Sequence, residues 1–131
     1  MLHTIINYLI YFAASIALLV VAGFIYVRFT PGNEIALIRQ GNAAAAVALA
    51  GAMIGYAAVV YSAVAHGGTL LETAIWSAVA LVSQIVACEL ICLLIHDKWK
   101  AEIARGDMAH GIALGAFSLA VGVINAGCLT P

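Results

Sequence analysis

The basic residues of this chain are confined to two short stretches, and this confinement constrains the fold more than any other feature. All five Lys and Arg residues lie either from Arg28 to Arg39 or from Lys98 to Arg105. Since the cytoplasmic loops of membrane proteins are enriched in Lys and Arg, both stretches are predicted to lie on the cytoplasmic side of a membrane. The chain would then cross the membrane four times, with both termini outside.

The segments around these basic stretches are apolar enough to require lipid. Hydrophobic residues make up 66% of the chain and charged residues only 8%, whereas about 25% of the residues of a soluble domain are charged. Four runs reach the ~20 residues that cross the hydrocarbon of a bilayer. They span approximately residues 5–27, 43–65, 70–95 and 111–129. The sequence therefore predicts an all-α membrane protein surrounded by lipids, and its net charge of −1 gives no reason to expect a nucleic-acid partner.

The two halves of the chain share a pattern of helix-ending and helix-starting residues. Gly41 and Gly106 are each followed by a side chain that favours a helix N-cap, Asn42 and Asp107 respectively. Glycine after a short helix favours the left-handed conformation that ends the helix. The pattern predicts two parallel two-helix repeats, each with a short cytoplasmic interfacial helix between its two membrane helices. The predicted repeats comprise residues 1–66 and 67–131.

Two of the four apolar runs carry small residues at helical spacing. The second run contains Gly51 and Gly55, and the fourth contains Gly111 and Gly115, so both hold the G-x-x-x-G pattern. Small residues let the backbones of membrane helices approach closely. These glycines are therefore predicted to be helix-packing positions, and the first and third runs are predicted to carry more of the lipid-facing surface.

Glu89 is the most unusual residue because it lies within the third apolar run. A charged side chain at the centre of a bilayer costs about 2.5–3.5 kcal/mol on insertion scales. Glu89 is therefore predicted to form a structural ion pair with Arg28, to be a neutral hydrogen-bonded acid, or to bind a proton or cation. Gln84 and Asn125 are the other polar candidates, and each is predicted either to hydrogen-bond to a neighbouring helix or to line a pathway.

Enzyme and metal chemistry has little support in the sequence. His3 and His66 would lie outside and His96 and His110 inside, so no three histidines are predicted to meet at one metal. The sequence has neither a phosphate-binding loop nor the H-E-x-x-H pattern of metalloproteases. We therefore expect no catalytic residue, no metal and no cofactor.

A series of short motifs runs through the chain in a characteristic order. They are Thr30-Pro31, Glu34, Leu37-Ile38, Gly41-Asn42, Gly55-Tyr56, Ser62-Ala63, Gln84 and the segment from Asn125 to Thr130. Together they resemble the domain-of-unknown-function 350 (DUF350) family over essentially the whole chain. The resemblance implies a small bacterial inner-membrane protein built from two copies of a two-helix domain. It also implies a genomic association with envelope-stress proteins, and it implies no specific activity.

Two functions of different classes are compatible with these features. The first is a non-catalytic, homo-oligomeric component of the bacterial inner membrane that acts in an envelope-stress or membrane-maintenance system, with other envelope-stress proteins as implied partners. The alternative is an oligomeric ion channel or small transporter with Glu89, Gln84 and Asn125 along its pathway. Because four helices packed through Ala and Gly leave little room inside one subunit, such a pathway is expected between subunits.

Overall fold

A computed structural model describes residues 1–29, 34–66, 68–95 and 99–129. Within these ranges the chain forms six α-helices and no β-strand. The helices are α1 (Leu2–Phe29), α2 (Glu34–Arg39), α3 (Ala43–His66), α4 (Leu70–Ile95), α5 (Trp99–Ala104) and α6 (Met108–Cys128). Four of them, α1, α3, α4 and α6, are long and apolar enough to cross a membrane. The prediction of an all-helical chain with four membrane helices is therefore confirmed.

The ends of the long helices lie close to the predicted ends. Helix α4 has the predicted bounds, and α3 ends one residue beyond its predicted end. Helix α6 begins three residues earlier than expected, because Asp107 caps it: the Asp107 carboxylate accepts a hydrogen bond from the Ala109 amide at 3.0 Å. Helix α4 begins at a similar cap, where the Thr69 hydroxyl accepts from the Glu72 amide at 3.2 Å.

Helices α3 and α6 form the most extensive contact in the bundle. A methyl group added at Gly51 would clash with the backbone of Gly115, and one added at Gly111 would lie 2.5 Å from the carbonyl oxygen of Ala44. A methyl group at Gly55 would lie 2.8 Å from the carbonyl oxygen of Ser118. The two backbones therefore touch directly, and only glycine fits at these crossings.

The buried core lies along this contact and along the face of α4 that covers it. One cluster of buried apolar side chains comprises Tyr26, Ala44, Ala45, Ala48, Ala52, Cys88, Ile103 and Leu114, and a second comprises Ala22, Tyr56, Val60 and Leu81. Helix α1 is peripheral, since only Ala22 and Tyr26 are buried among its described side chains. Most of α1 therefore presents apolar surface outside the bundle.

The short helices α2 and α5 end in the same way. Gly41 and Gly106 have φ angles of +85° and +87°. The following amides donate to the end of the preceding helix, from Asn42 to the Leu37 carbonyl at 2.9 Å and from Asp107 to the Glu102 carbonyl at 3.0 Å. This is the Schellman pattern, and a positive φ at its turning residue explains glycine at both positions.

Because α3 and α6 touch at Gly51, any side chain at this position should lower the stability of the protein. We expect Gly51→Ala to lower the free energy of unfolding by about 1–3 kcal/mol, the range for overpacking. The added methyl group meets the backbone of Gly115, which can move away only if α6 moves with it. The measurement is denaturant unfolding of the purified protein in mixed micelles, followed by circular dichroism. Gly127→Ala is the matched control, since a methyl group there has nothing within 4 Å. Equal stability of the two variants would contradict the packing argument.

Candidate functional site

Gln84 is the largest fully buried polar side chain at the centre of the bundle. It lies on α4 with 2% of its surface exposed. Its amide Nε2 donates to the carbonyl of Ala52 on α3 at 2.9 Å and to that of Ser118 on α6 at 3.4 Å. A single side chain therefore joins three membrane helices, and a position of Gln84 along a pathway stays a prediction.

Other polar groups continue along the buried face of α4. Thr73, Ser77 and Gln84 are all buried on this face. The hydroxyl of Tyr56, on α3, donates to the Ser77 carbonyl at 3.1 Å, and the Thr73 hydroxyl donates to the Thr69 carbonyl at 3.1 Å. The Tyr56 bond therefore ties α3 to α4, whereas the Thr73 bond lies within the start of α4.

Helix α1 meets this face through a polar contact near its end. The Tyr26 hydroxyl lies 3.3 Å from the sulfur of Cys88 on α4, within hydrogen-bond distance, and both side chains are buried. Glu89 follows Cys88 and is partly buried, whereas Arg28 on α1 is exposed. The pairing of Glu89 with Arg28 stays a prediction.

The predicted pathway residues lie at different depths in the bundle. By helical rise, Glu89 lies about 9 Å from the end of α4, and Asn125 lies about 25 Å from the start of α6. Those two helix ends are at the same end of the bundle, since α5 connects them. Asn125 is partly buried, and among the described residues its amide nitrogen has no hydrogen-bond acceptor. Glu89, Gln84 and Asn125 therefore do not form one compact site within the subunit.

Asn42 forms a link between the two halves that the sequence did not reveal. Its side-chain oxygen accepts from the Ala45 amide at 3.1 Å and so caps α3. Its Nδ2 donates to the carbonyls of Ile103 and Ala104, at 2.8 and 3.2 Å, at the end of α5. Asp107 at the matching position has no amide to donate. The sequence therefore carried one signal of this link: position 42 has an amide that can donate, whereas the matching position 107 has a carboxylate that cannot.

A charged cluster lies beside this link, where α5 turns into α6. Arg105 forms an ion pair with Glu102, and the hydrogen bond from Arg105 lowers the pKa of the Glu102 carboxyl. His110 Nδ1 lies 3.0 Å from the Asp107 carboxylate. Partial burial by itself would raise the pKa of Asp107, but the hydrogen bonds from His110 and Ala109 outweigh it, so that pKa is lowered.

The same cluster bears on the expectation that no metal binds. The ligand atoms of Glu102, Asp107 and His110 all lie within 4.8 Å of one another. The positions of the histidines alone did not indicate this cluster, in which one histidine meets two carboxylates. Since Arg105 already neutralises Glu102 and the cap bond already engages Asp107, these contacts account for the cluster without an ion. The absence of a metal site stays a prediction.

Among the described residues, a groove and a much smaller cavity adjoin α1. A groove of about 430 Å³ between α1 and α3 is lined by aromatic and aliphatic side chains, among them Tyr8, Phe12 and Tyr61. A much smaller cavity of about 10 Å³ lies where α1, α3 and α4 meet, and Tyr26, Tyr56 and Gln84 contribute its polar side chains. The groove is lined almost entirely by apolar surface, whereas the small cavity adjoins the buried polar side chain of Gln84.

Four long apolar helices, a core of small residues and buried side chains bonded across helices define a multi-pass α-helical membrane protein. The chain belongs to the family described as Domain of Unknown Function (DUF350), whose model matches residues 1–129. The family resemblance recognised in the sequence is thereby confirmed.

Two curated relatives extend this assignment. The chain is 30% identical over 129 residues to a protein of Escherichia coli strain K12 described as "UPF0719 inner membrane protein YjfL", and the alignment covers 98% of this chain and 97% of the relative. The protein of the same description in Escherichia coli O157:H7 matches with the same values. No solved structure matches the chain significantly. Together with the four apolar helices, these relatives support a place in the bacterial inner membrane.

The dual role of Asn42 predicts an asymmetry between the two cap positions. We expect Asn42→Asp to lower the free energy of unfolding by about 1–3 kcal/mol, because the new carboxylate keeps the cap but faces two carbonyl oxygens that lose their donor. The reverse change at the matching position, Asp107→Asn, keeps the acceptor for Ala109 and loses only a partly exposed contact with His110, so its effect should stay within about 1 kcal/mol. Denaturant unfolding in mixed micelles compares the two. An equal loss in both variants would show that the link to α5 contributes nothing.

Proposed function

We propose that this chain is a non-catalytic structural component of the inner membrane that works as a homo-oligomer. The observation that carries the proposal is the direct backbone contact between α3 and α6, which fills the centre of the subunit. In addition, Gln84, Tyr56 and Ser62 donate to backbone carbonyls of neighbouring helices, the last to Ala126 at 2.7 Å. Polar groups used in this way stabilise a scaffold. A role in envelope stress or membrane maintenance is the finer part of the proposal and rests on the family resemblance.

The peripheral position of α1 supports the oligomeric part of the proposal. Large apolar side chains along this helix, among them Tyr8, Phe12 and Phe24, are more than half exposed. In a single subunit this surface faces lipid. In an oligomer α1 supplies a ready contact for further copies, so lipids and other copies of this chain are the proposed partners.

The topology belongs to the same proposal. We infer two parallel repeats with α2 and α5 at the cytoplasmic surface and both termini outside. The matching ends of α2 and α5, with positive φ at Gly41 and Gly106, support the repeat. The clustering of every Lys and Arg near these two helices supports the orientation.

Cysteine accessibility tests the orientation. In a background where Cys88, Cys92 and Cys128 are replaced by Ser, Gly68→Cys should react with a membrane-impermeant thiol reagent in intact cells. Lys100→Cys should react only after the membrane is opened, because the cytoplasmic loops are shielded. The reverse pattern would refute the proposed topology and leave the four-helix fold intact.

The oligomer and the competing function are tested together in a lipid environment. Subunit counting by mass photometry of the protein in lipid nanodiscs should give more than one copy. Proteoliposomes should show no ion flux above that of vesicles without protein.

The competing channel is favoured by the unpartnered polar atoms of Gln84 and Asn125 among the described residues. Flux that disappears in Glu89→Gln while the oligomer persists would establish the channel and overturn the scaffold, and a monomer without flux would overturn both.

A further inference from the structure

One side chain at the small cavity where α1, α3 and α4 meet has a buried hydrogen-bond acceptor without a donor among the described residues. Gln84 lines this cavity, and its side-chain oxygen Oε1 has no hydrogen-bond partner among the described residues. Exchanging the oxygen and nitrogen of the amide would not remove the demand, because the oxygen would then face the Ala52 carbonyl, which can only accept. The orientation of the amide is therefore determined by its own contacts.

An unpaired acceptor on Gln84 is costly because of the depth at which this residue lies. By helical rise Gln84 lies roughly 21 Å from one end of α4 and about 16 Å from the other, near the middle of a membrane-spanning helix. Bulk water does not reach that depth, and a buried polar atom without a partner costs about 1–3 kcal/mol. A partner that the cavity itself can hold would remove this cost.

The cavity is just large enough for one small partner, and three of its lining side chains carry polar groups. Its volume of about 10 Å³ is close to the minimum that admits one water molecule. A buried water needs two to four polar partners, and Tyr26, Tyr56 and Gln84, which line the cavity, each carry a polar group. The remaining lining side chains are apolar: Ala22, Ala52, Met53 and Leu81.

We propose that this cavity is a binding site for a single water molecule. The water donates one hydrogen bond to Gln84 Oε1, and the hydroxyls of Tyr26 and Tyr56 supply its other contacts. A metal cation does not suit the site, because the lining side chains include no carboxylate and a charge at this depth is costly. The water gives α1 a further polar attachment to the core, beside the contact of Tyr26 with Cys88.

Glutamine labelling gives a direct test with an internal control. The chain contains two glutamines, Gln40 and Gln84, of which Gln40 is exposed and Gln84 is 2% exposed. The protein is labelled with side-chain 15N-glutamine and studied in lipid bilayers by water-edited solid-state NMR. Magnetisation should pass from water to both side-chain amides. Transfer to Gln40 alone would overturn the proposal.

A variant that fills the cavity tests whether the magnetisation reaches Gln84 from this water or by another route. Ala22→Val places two methyl groups in the cavity, so transfer to Gln84 should be lost while transfer to Gln40 persists. Unchanged transfer to Gln84 in the folded variant would show that the water lies elsewhere and would overturn the site. If Ala22→Val does not fold, Tyr26→Phe removes one hydroxyl at nearly constant shape, and transfer should fall there too. The same NMR experiment is repeated with sodium replaced by choline at constant ionic strength. A change in the magnetisation transfer to Gln84 would identify a cation site and overturn the assignment to water.

Discussion

The direct contact of two helix backbones, α3 with α6, is the constraint on which the rest of this structure depends. Lipid offers no hydrophobic drive for helices to associate, so close van der Waals contact and hydrogen bonds must hold them together. Glycines at the crossings remove every side chain that would separate the two backbones. Because α3 belongs to the first half of the chain and α6 to the second, the contact also joins the halves. Helix α4 packs against both members of this pair, and α1 packs at the periphery against α3 and α4, with less of its surface buried.

Polar groups in this protein act where two helices already touch. Gln84 reaches carbonyls on both members of the central pair, and Asn42 reaches the end of α5 from the start of α3. In each case the acceptor is a backbone carbonyl whose position is determined by a helix. Such bonds contribute modest stability individually, but they specify the rotation and the offset of one helix against another.

Much of the fold follows from the sequence, because length, composition and cap residues act locally. The apolar runs indicated four helices, and Gly41 and Gly106 marked the ends of the two short ones through the need for positive φ. The targets of Gln84 and Asn42 were not predictable, since they depend on how helices rotate about their axes when they pack. The meeting of Glu102, Asp107 and His110 was missed for a related reason. The turn at Gly106 brings the end of α5 and the start of α6 together, and the histidine positions alone did not indicate that two carboxylates would meet one histidine there.

The dependence of the centre on both α3 and α6 has a consequence for how the protein is made. Gly51 leaves the ribosome 64 residues before its partner Gly115. Until synthesis reaches α6, the glycine face of α3 has no helix to pack against, and the carbonyls of Ile103 and Ala104 that Asn42 will bind do not yet exist. A chain that stops early therefore inserts into the membrane without acquiring its core. In such fragments the glycine face of α3 meets lipid tails instead of the backbone of α6.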